Sequence, residues 1–282
     1  MKMLELNHTQ VLHFLPDRPA DAHKGDFGKL LLLCGSRGYT GAAALAAMGS
    51  LRSGAGLVYL GVPESIYAIE SVKLTEPVVF PLPDEGGMYS ATGCQQVKQL
   101  LPKMDAVLIG PGIGQSDGTH SMLQTVLSHA SCPVVLDADG INLLAAHRDV
   151  LRGRTCPLIL TPHDGEFARI SYFDGKDRIS AAAALARELD AIVLLKGHRT
   201  LITDGTVCYR NTTGNPGMAV GGSGDLLAGI LTGLLGQGLQ PLEAAACAAW
   251  LHGAAGDLCA KDLGQYAMLP SDMLSYLPRL LK

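Results

Sequence analysis

Five short apolar runs in this chain each stop at a turn rich in glycine or charged residues. Residues 29–34 (KLLLLC) run into GSRGYTG, Ala106–Ile109 (AVLI) into GPGIG, and 133–136 (PVVL) into DADGIN. Leu158–Leu160 (LIL) runs into TPHDGEF, and Ala191–Leu195 (AIVLL) into KGHRT. A strand that is apolar at successive positions has both faces buried. Residues 57–62 and 78–81 read as further strands, and 200–203 with 207–209 as a hairpin around Asp204-Gly205. Helical stretches fill the gaps: 119–129, 180–189 with Ser180 as its cap, 226–235 and 241–259. This alternation predicts an α/β fold, a three-layer α/β/α sandwich with a mostly parallel central sheet. No proline- or serine-rich linker and no internal repeat divides the chain, so residues 1–282 read as one domain. In such sheets ligands bind beyond the carboxyl ends of the strands, where the five turns converge.

Composition narrows the function. The net charge is -4 and no basic block occurs, which argues against a nucleic-acid partner. No stretch is apolar for long enough to span a bilayer, and the N-terminus MKMLELNHTQVLHFLP lacks signal-peptide character; a cytoplasmic protein is expected. The seven cysteines form no CxxC pair and read as small buried hydrophobes in a reducing compartment. The nine histidines show no paired metal spacing. Glycine is abundant, 34 of 282 residues, against an average usage of about 7%. Nine glycines lie between Gly25 and Gly61 and nine between Gly214 and Gly238. Such clustering marks places where backbone must approach a ligand or another backbone; Gly229 and Gly233, four apart, predict a helix pressed against a neighbour.

The most informative run is TGNPGMAVGGSGDLL, residues 213–227. A glycine-rich turn feeding a helix presents backbone N–H groups and positive dipole potential to an anion. Gly222, Ser223 and Gly224 would form this anion hole, suited to a transferring phosphoryl group. Asp225 stands at its lip. The helix terminus is expected to keep its carboxylate ionised, able to accept a proton from an attacking hydroxyl; a plain helix cap is the competing role. Lys196 could meet phosphate or ribose oxygens, or simply be a solvated strand end. His163 could hydrogen-bond a substrate, and Glu166 could cap the next helix. Asp137 and Asp139 could lie near Mg²⁺ through water, or serve turn and cap chemistry. GPGIG could approach a ligand or only turn the chain, and His252 reads as core packing or a cap contact.

Taken in order, HKGDFGKLLLLCGSRGYTGAA, IGPGIG, VLDADGIN, LTPHDGEF, LLKGHRT and NPGMAVGGSGDLLAG resemble the NAD(P)H-hydrate dehydratases, a nucleotide-dependent repair branch of the ribokinase-like superfamily. The resemblance covers roughly residues 10 to 260. GGSGD marks the superfamily, and TPHDGEF with the HKG…GS…GA opening narrows it to this branch. Some members carry an N-terminal epimerase domain, for which this chain has no room. The resemblance implies dehydration of the S-epimer of NADH or NADPH hydrated at C6 of the nicotinamide ring, driven by ADP, with Mg²⁺, giving AMP and phosphate; eukaryotic members use ATP. It implies that Ala42, Gly112 and His163 contact the hydrate, with Asp225 at the reacting hydroxyl. Lys196, Gly197, His198, Arg199, Thr200 and Gly224 would contact the adenine nucleotide. No metal ligands are assigned, Mg²⁺ arriving mainly through nucleotide phosphates and water, and a homo-oligomer, tetramer or dimer, is implied. Two other functions share the same machinery: a small-molecule kinase acting on a vitamin-precursor alcohol, and a nucleotide sensor without turnover.

Overall fold

The computed structural model describes residues 2–171 and 177–282. Its strands are β1 (Lys2–Leu4), β2 (Lys29–Leu33), β3 (Leu57–Pro63), β4 (Val78–Leu82), β5 (Asp84–Glu85), β6 (Met88–Tyr89), β7 (Ala106–Ile109), β8 (Val134–Leu136), β9 (Leu158–Leu160), β10 (Ala191–Leu195), β11 (Leu201–Thr203) and β12 (Val207–Arg210). Ten of them form one sheet in the order β1-β12-β11-β10-β9-β8-β7-β2-β3-β4, while β5 and β6 pair apart from it. The sheet is parallel from β10 to β4 and antiparallel only at β10–β11 and β11–β12. All the expected strands are present. Pro81 lies in β4, at the sheet edge where a missing N–H is tolerated.

Strand alternation splits the core in two. Leu30 and Leu32 of β2 face one cluster, Leu31 and Leu33 the other, all fully buried. The first cluster is roofed by the helices Thr40–Arg52, Ser223–Gly236 and Pro241–Leu263. The second is roofed by Asp117–His129, Asp139–Ala146, Asp164–Ile170 and Arg178–Leu189. This is the expected three-layer arrangement.

Two local expectations change. The helix read as 180–189 begins at Arg178, and its cap is Asp177 rather than Ser180: the Asp177 carboxylate accepts the N–H groups of Ile179 and Ser180. An ionised carboxylate reaches two orphan donors there, which a serine one turn later cannot. The N-terminal β1 was not anticipated. Three residues are too few to show periodicity, and it is held by parallel pairing with β12.

The glycine clusters prove to be partners. The Ser223–Gly236 helix is buried at every residue from Leu226 to Gly236, so it is apolar all round, as a core helix must be. It crosses Thr40–Arg52 at glycines from both windows. A Cβ on Gly49 would lie 2.8 Å from the Leu226 carbonyl oxygen, one on Gly229 would run into the Ala46 carbonyl, and one on Gly233 into Ser50 and Ser53. Ser50 Oγ lies 3.0 Å from the Gly229 carbonyl oxygen, a donor across the crossing.

Candidate active site

Chain order reverses between β2 and β7: from β2 the sheet grows first to β3 and β4, then on the other side from β7. A crevice opens at such a switch point. Its walls are tied together, since Gly35 N–H donates to the Pro111 carbonyl (2.8 Å) and Ser36 Oγ to the Gly112 carbonyl (2.7 Å). Gly112 adopts φ +64°, and a Cβ there would sit 3.1 Å from the Ala42 Cβ. The structure thus brings Ala42 and Gly112 together at this crevice.

Period-2 alternation continues past the strand ends. Val135, Ile159 and Leu194 all face the first core cluster. Two residues on from each stand Asp137, Thr161 and Lys196, on that same face and level with the start of the Ser223–Gly236 helix. Lys196 Nζ lies 2.7 Å from Asp137 Oδ1 and 3.8 Å from Glu166 Oε2. Thr161 Oγ1 donates to the same Asp137 oxygen at 2.7 Å. Burial alone would lower the Lys196 pKa, but the facing Asp137 and Glu166 carboxylates raise it above its ordinary value, so the ammonium is held charged.

The helix start closes the site. Gly222 takes φ +94° in the left-handed region, and Ser223 begins the helix. The amides of Gly224 and Asp225 fall in the first turn, where no intrahelical acceptor exists, while Ser223 N–H donates back to the Val220 carbonyl at 3.3 Å. Gly224 faces the lysine cluster: a Cβ there would lie 3.4 Å from Lys196 Nζ and 3.9 Å from Asp137 Oδ2. Gly222, Ser223, Gly224, Asp225 and Lys196 are therefore one constellation.

Asp225 departs from expectation in cause. Its pKa is not held down by the helix terminus but pushed up to about 6, first by burial and then by the Asp137 charge, against the opposing pull of Lys196. It remains mostly ionised at neutral pH and is a stronger base than an ordinary aspartate. Cys34 lies on the same face at the end of β2; burial and the charges of Asp225 and Asp137 hold its thiol well above the ordinary range, so it stays protonated. His252 is buried, with Nε2 3.3 Å from Ser223 Oγ and its pKa pushed down to about 4 by desolvation. Of the two expected roles this is core packing, with a side-chain contact to the first residue of the helix.

The remaining residues lie around this floor. His163 is the cap of Asp164–Ile170: its Nδ1 accepts from Gly165 N–H at 3.0 Å, and Glu166 Oε2 accepts the His163 N–H at 2.9 Å. Its ring is 55% exposed, so a ligand can still reach it. Gly197, His198, Arg199 and Thr200 form the exposed turn between β10 and β11, with Thr200 Oγ1 donating to the Gly197 carbonyl at 3.0 Å. Arg199 has φ +58°, uncommon outside glycine. The two carboxylates of DADGIN diverge. Asp137 is engaged by Lys196 and Thr161, while Asp139 Oδ2 accepts Gly114 N–H at 2.9 Å; they do not form a joint metal site. Among the described residues no group of three or more His, Cys, Asp or Glu is placed to hold a metal ion, and no helix is long and apolar enough to cross a membrane. The Asp137–Lys196 pair escaped the sequence reading, although the alternation through Val135 and Leu194 carries it.

The family model described as NAD(P)H-hydrate dehydratase matches residues 30–279. The bifunctional NAD(P)H-hydrate repair enzyme Nnr of Moorella thermoacetica is 46% identical over 275 residues, 95% of this chain and 52% of that protein. The chain spans about half the length of the curated relatives it matches. Among solved structures, the ADP/ATP-dependent NAD(P)H-hydrate dehydratase of Bacillus subtilis, co-crystallised with ATP and Mg²⁺, superposes with a TM-score of 0.82 at 32% identity, covering 97% of this chain and 96% of that one. A ribokinase-like superfamily protein of Enterococcus faecalis superposes with a TM-score of 0.88 at 29% identity, covering 99% and 95%. With a glycine-led helix start, an adjoining carboxylate and a held lysine at the expected strand ends, and with this match over most of its length, the chain belongs to the NAD(P)H-hydrate dehydratase family, on a ribokinase-like fold.

Proposed function

We propose that this chain dehydrates the S-epimer of hydrated NADH and NADPH at the expense of ADP, releasing AMP and phosphate. The observation that carries the reading is Asp225 in the first turn of a glycine-led helix, beside a half-buried lysine that remains charged. Hydroxide is a poor leaving group, so the hydroxyl must first be activated. Asp225 takes the proton of the C6 hydroxyl, whose oxygen attacks the terminal phosphoryl group of ADP, and AMP leaves. The ring nitrogen lone pair then expels phosphate, and loss of a proton from C5 restores the C5–C6 double bond. Backbone N–H groups of Gly222 to Gly224 and the Lys196 ammonium stabilise the charge in transit. Ala42, Gly112 and His163 hold the hydrate at the switch-point crevice, and Gly197, His198, Arg199 and Thr200 hold the nucleotide.

The donor set does not fit a protein-held metal: Asp137 and Asp139 are engaged elsewhere. Mg²⁺ belongs with the nucleotide, and no step here depends on protein ligands to it. We place the reaction in the cytoplasm and in a homotetramer of single-domain chains. The test is recovery of NADH absorbance from the hydrate, run with ADP and with ATP. Recovery with ADP, accompanied by one phosphate per NADH, is the expected result. Nucleotide consumption only on adding an alcohol, with a stable phosphate ester as product, identifies a kinase instead; nucleotide binding without turnover identifies a sensor.

The state of Asp225 predicts the pH profile. A base with a pKa of about 6 in the free enzyme is lost as pH falls through 6, so kcat/KM for the hydrate is expected to decline about tenfold per pH unit below that point and to be flat just above it. Stability runs the other way. A carboxyl whose pKa is raised on folding contributes stability that is full below its unfolded value and lost as pH rises through about 6. A rate that holds level down to pH 4 would remove Asp225 from the base role.

A further inference from the structure

Lys196 does not reach the anion hole as a free side chain. Asp137, Thr161 and Lys196 follow three neighbouring strands, β8, β9 and β10, and project to one face. Asp137 and Thr161 are each 1% exposed. One carboxylate oxygen, Asp137 Oδ1, takes both the Lys196 ammonium and the Thr161 hydroxyl at 2.7 Å. An ammonium has three donors. One is taken by Asp137, Glu166 stands at 3.8 Å, and beyond the third lies Gly224, which has no side chain to fill the intervening space.

A lysine is a flexible point charge and would otherwise sample many positions around a phosphate. We propose that Asp137 is a positioning residue: with Thr161 it fixes the Lys196 ammonium at the mouth of the anion hole, where the nucleotide's terminal phosphoryl group docks. This rests on the nucleotide role given to Lys196 above. It assigns Asp137 no contact with the hydrate or with the transferred proton. Glu166 acts as the secondary counter-charge, and its main bond is to the His163 N–H.

The test measures ADP affinity by calorimetry without hydrate, and separately the KM values for ADP and hydrate and kcat, in Asp137→Asn, Thr161→Val, Lys196→Met and the Asp137→Asn/Lys196→Met double variant. Asp137→Asn is expected to lose roughly 10²-fold in kcat/KM for ADP, with KM for the hydrate unchanged. Thr161→Val, which removes one neutral donor, is expected to lose roughly threefold to tenfold in the same parameter. The double variant should bind ADP no worse than Lys196→Met alone, because toward the nucleotide Asp137 acts through the lysine, while the effect of its charge on Asp225 registers in kcat and its pH dependence. A purely structural pair gives a different pattern: melting temperature falls in each single variant, and both KM values drift together. Asp137→Asn within twofold of wild type toward ADP, or single losses that multiply in the double variant, overturns the proposal. If Asp137→Asn does not fold, Thr161→Val decides, and unchanged ADP affinity there overturns it. A wild-type chain that binds ADP but leaves the hydrate untouched defeats the proposed function alone, since calorimetry still tests the lysine. A chain that binds no ADP defeats both.

Discussion

Asp225→Asn is expected to lower kcat for hydrate dehydration by roughly 10²–10⁴-fold, the usual contribution of a positioned general base. Asparagine keeps the size and shape of the side chain but cannot accept the C6 hydroxyl proton. The loss should fall on kcat, with ADP affinity kept or improved, because a carboxylate near the incoming phosphates is removed. The fold gives an independent check. The native environment resists ionisation of this carboxyl, through burial and the Asp137 charge. Neutral asparagine avoids that cost, so the melting temperature at pH 8 should be at least that of wild type. A catalytic base and a structural cap therefore predict opposite outcomes. As a cap, Asp225 would leave activity nearly intact and lower stability on replacement. Turnover, calorimetry and thermal melts on one preparation separate them, and an active, destabilised Asp225→Asn would sink the assignment.

The second large effect is structural. Gly229→Ala adds one methyl group, yet that carbon has no room against the Ala46 carbonyl on the crossing helix. The obstruction is backbone rather than the end of a flexible side chain, so the helices must separate. Overpacking of this kind costs about 3 kcal/mol, the upper part of its usual range. For a chain of this size that corresponds to a fall of roughly 5 °C in melting temperature. Helix propensity alone predicts a small gain from the same change. Gly41→Ala is the internal control. Gly41 lies in the Thr40–Arg52 helix with nothing within 4 Å of an added Cβ, so stability there should hold or rise. Equal melting temperatures for the two variants would show that the crossing is looser than these contacts require. Gly229 lies one turn beyond Asp225 on the same helix, so the loss should reach the active site as well.

The layering was legible because five strand runs are apolar at successive positions, which only a doubly covered sheet can accommodate. The glycine-led helix start was legible because a glycine turn, a helix start and an aspartate are contiguous in residues 213–227. What escaped was non-local. Asp137 and Lys196 are 59 positions apart, and their contact depends on β9 placing Thr161 between them. Each side chain was ambiguous on its own, a turn carboxylate and a strand-end amine. Extending the in-and-out count beyond Val135, Ile159 and Leu194 would have put all three on one face. The direction of the Asp225 pKa shift was also beyond local reasoning. A helix terminus favours a carboxylate, but here desolvation and a second carboxylate outweigh it.

The Ser223–Gly236 helix also divides the site by mobility. A helix enclosed on every side from Leu226 onward cannot tilt or slide without disturbing both its neighbours and the sheet. Under the proposed function, the donors at its N-terminus are thus preset and need no reorientation when charge builds on the phosphoryl group. Adjustment to an arriving nucleotide falls instead, on the same proposal, to the exposed turn of Gly197 to Thr200. The floor of the proposed site is as rigid as the core to which it belongs, and the proposed nucleotide-binding turn is free to vary without disturbing it.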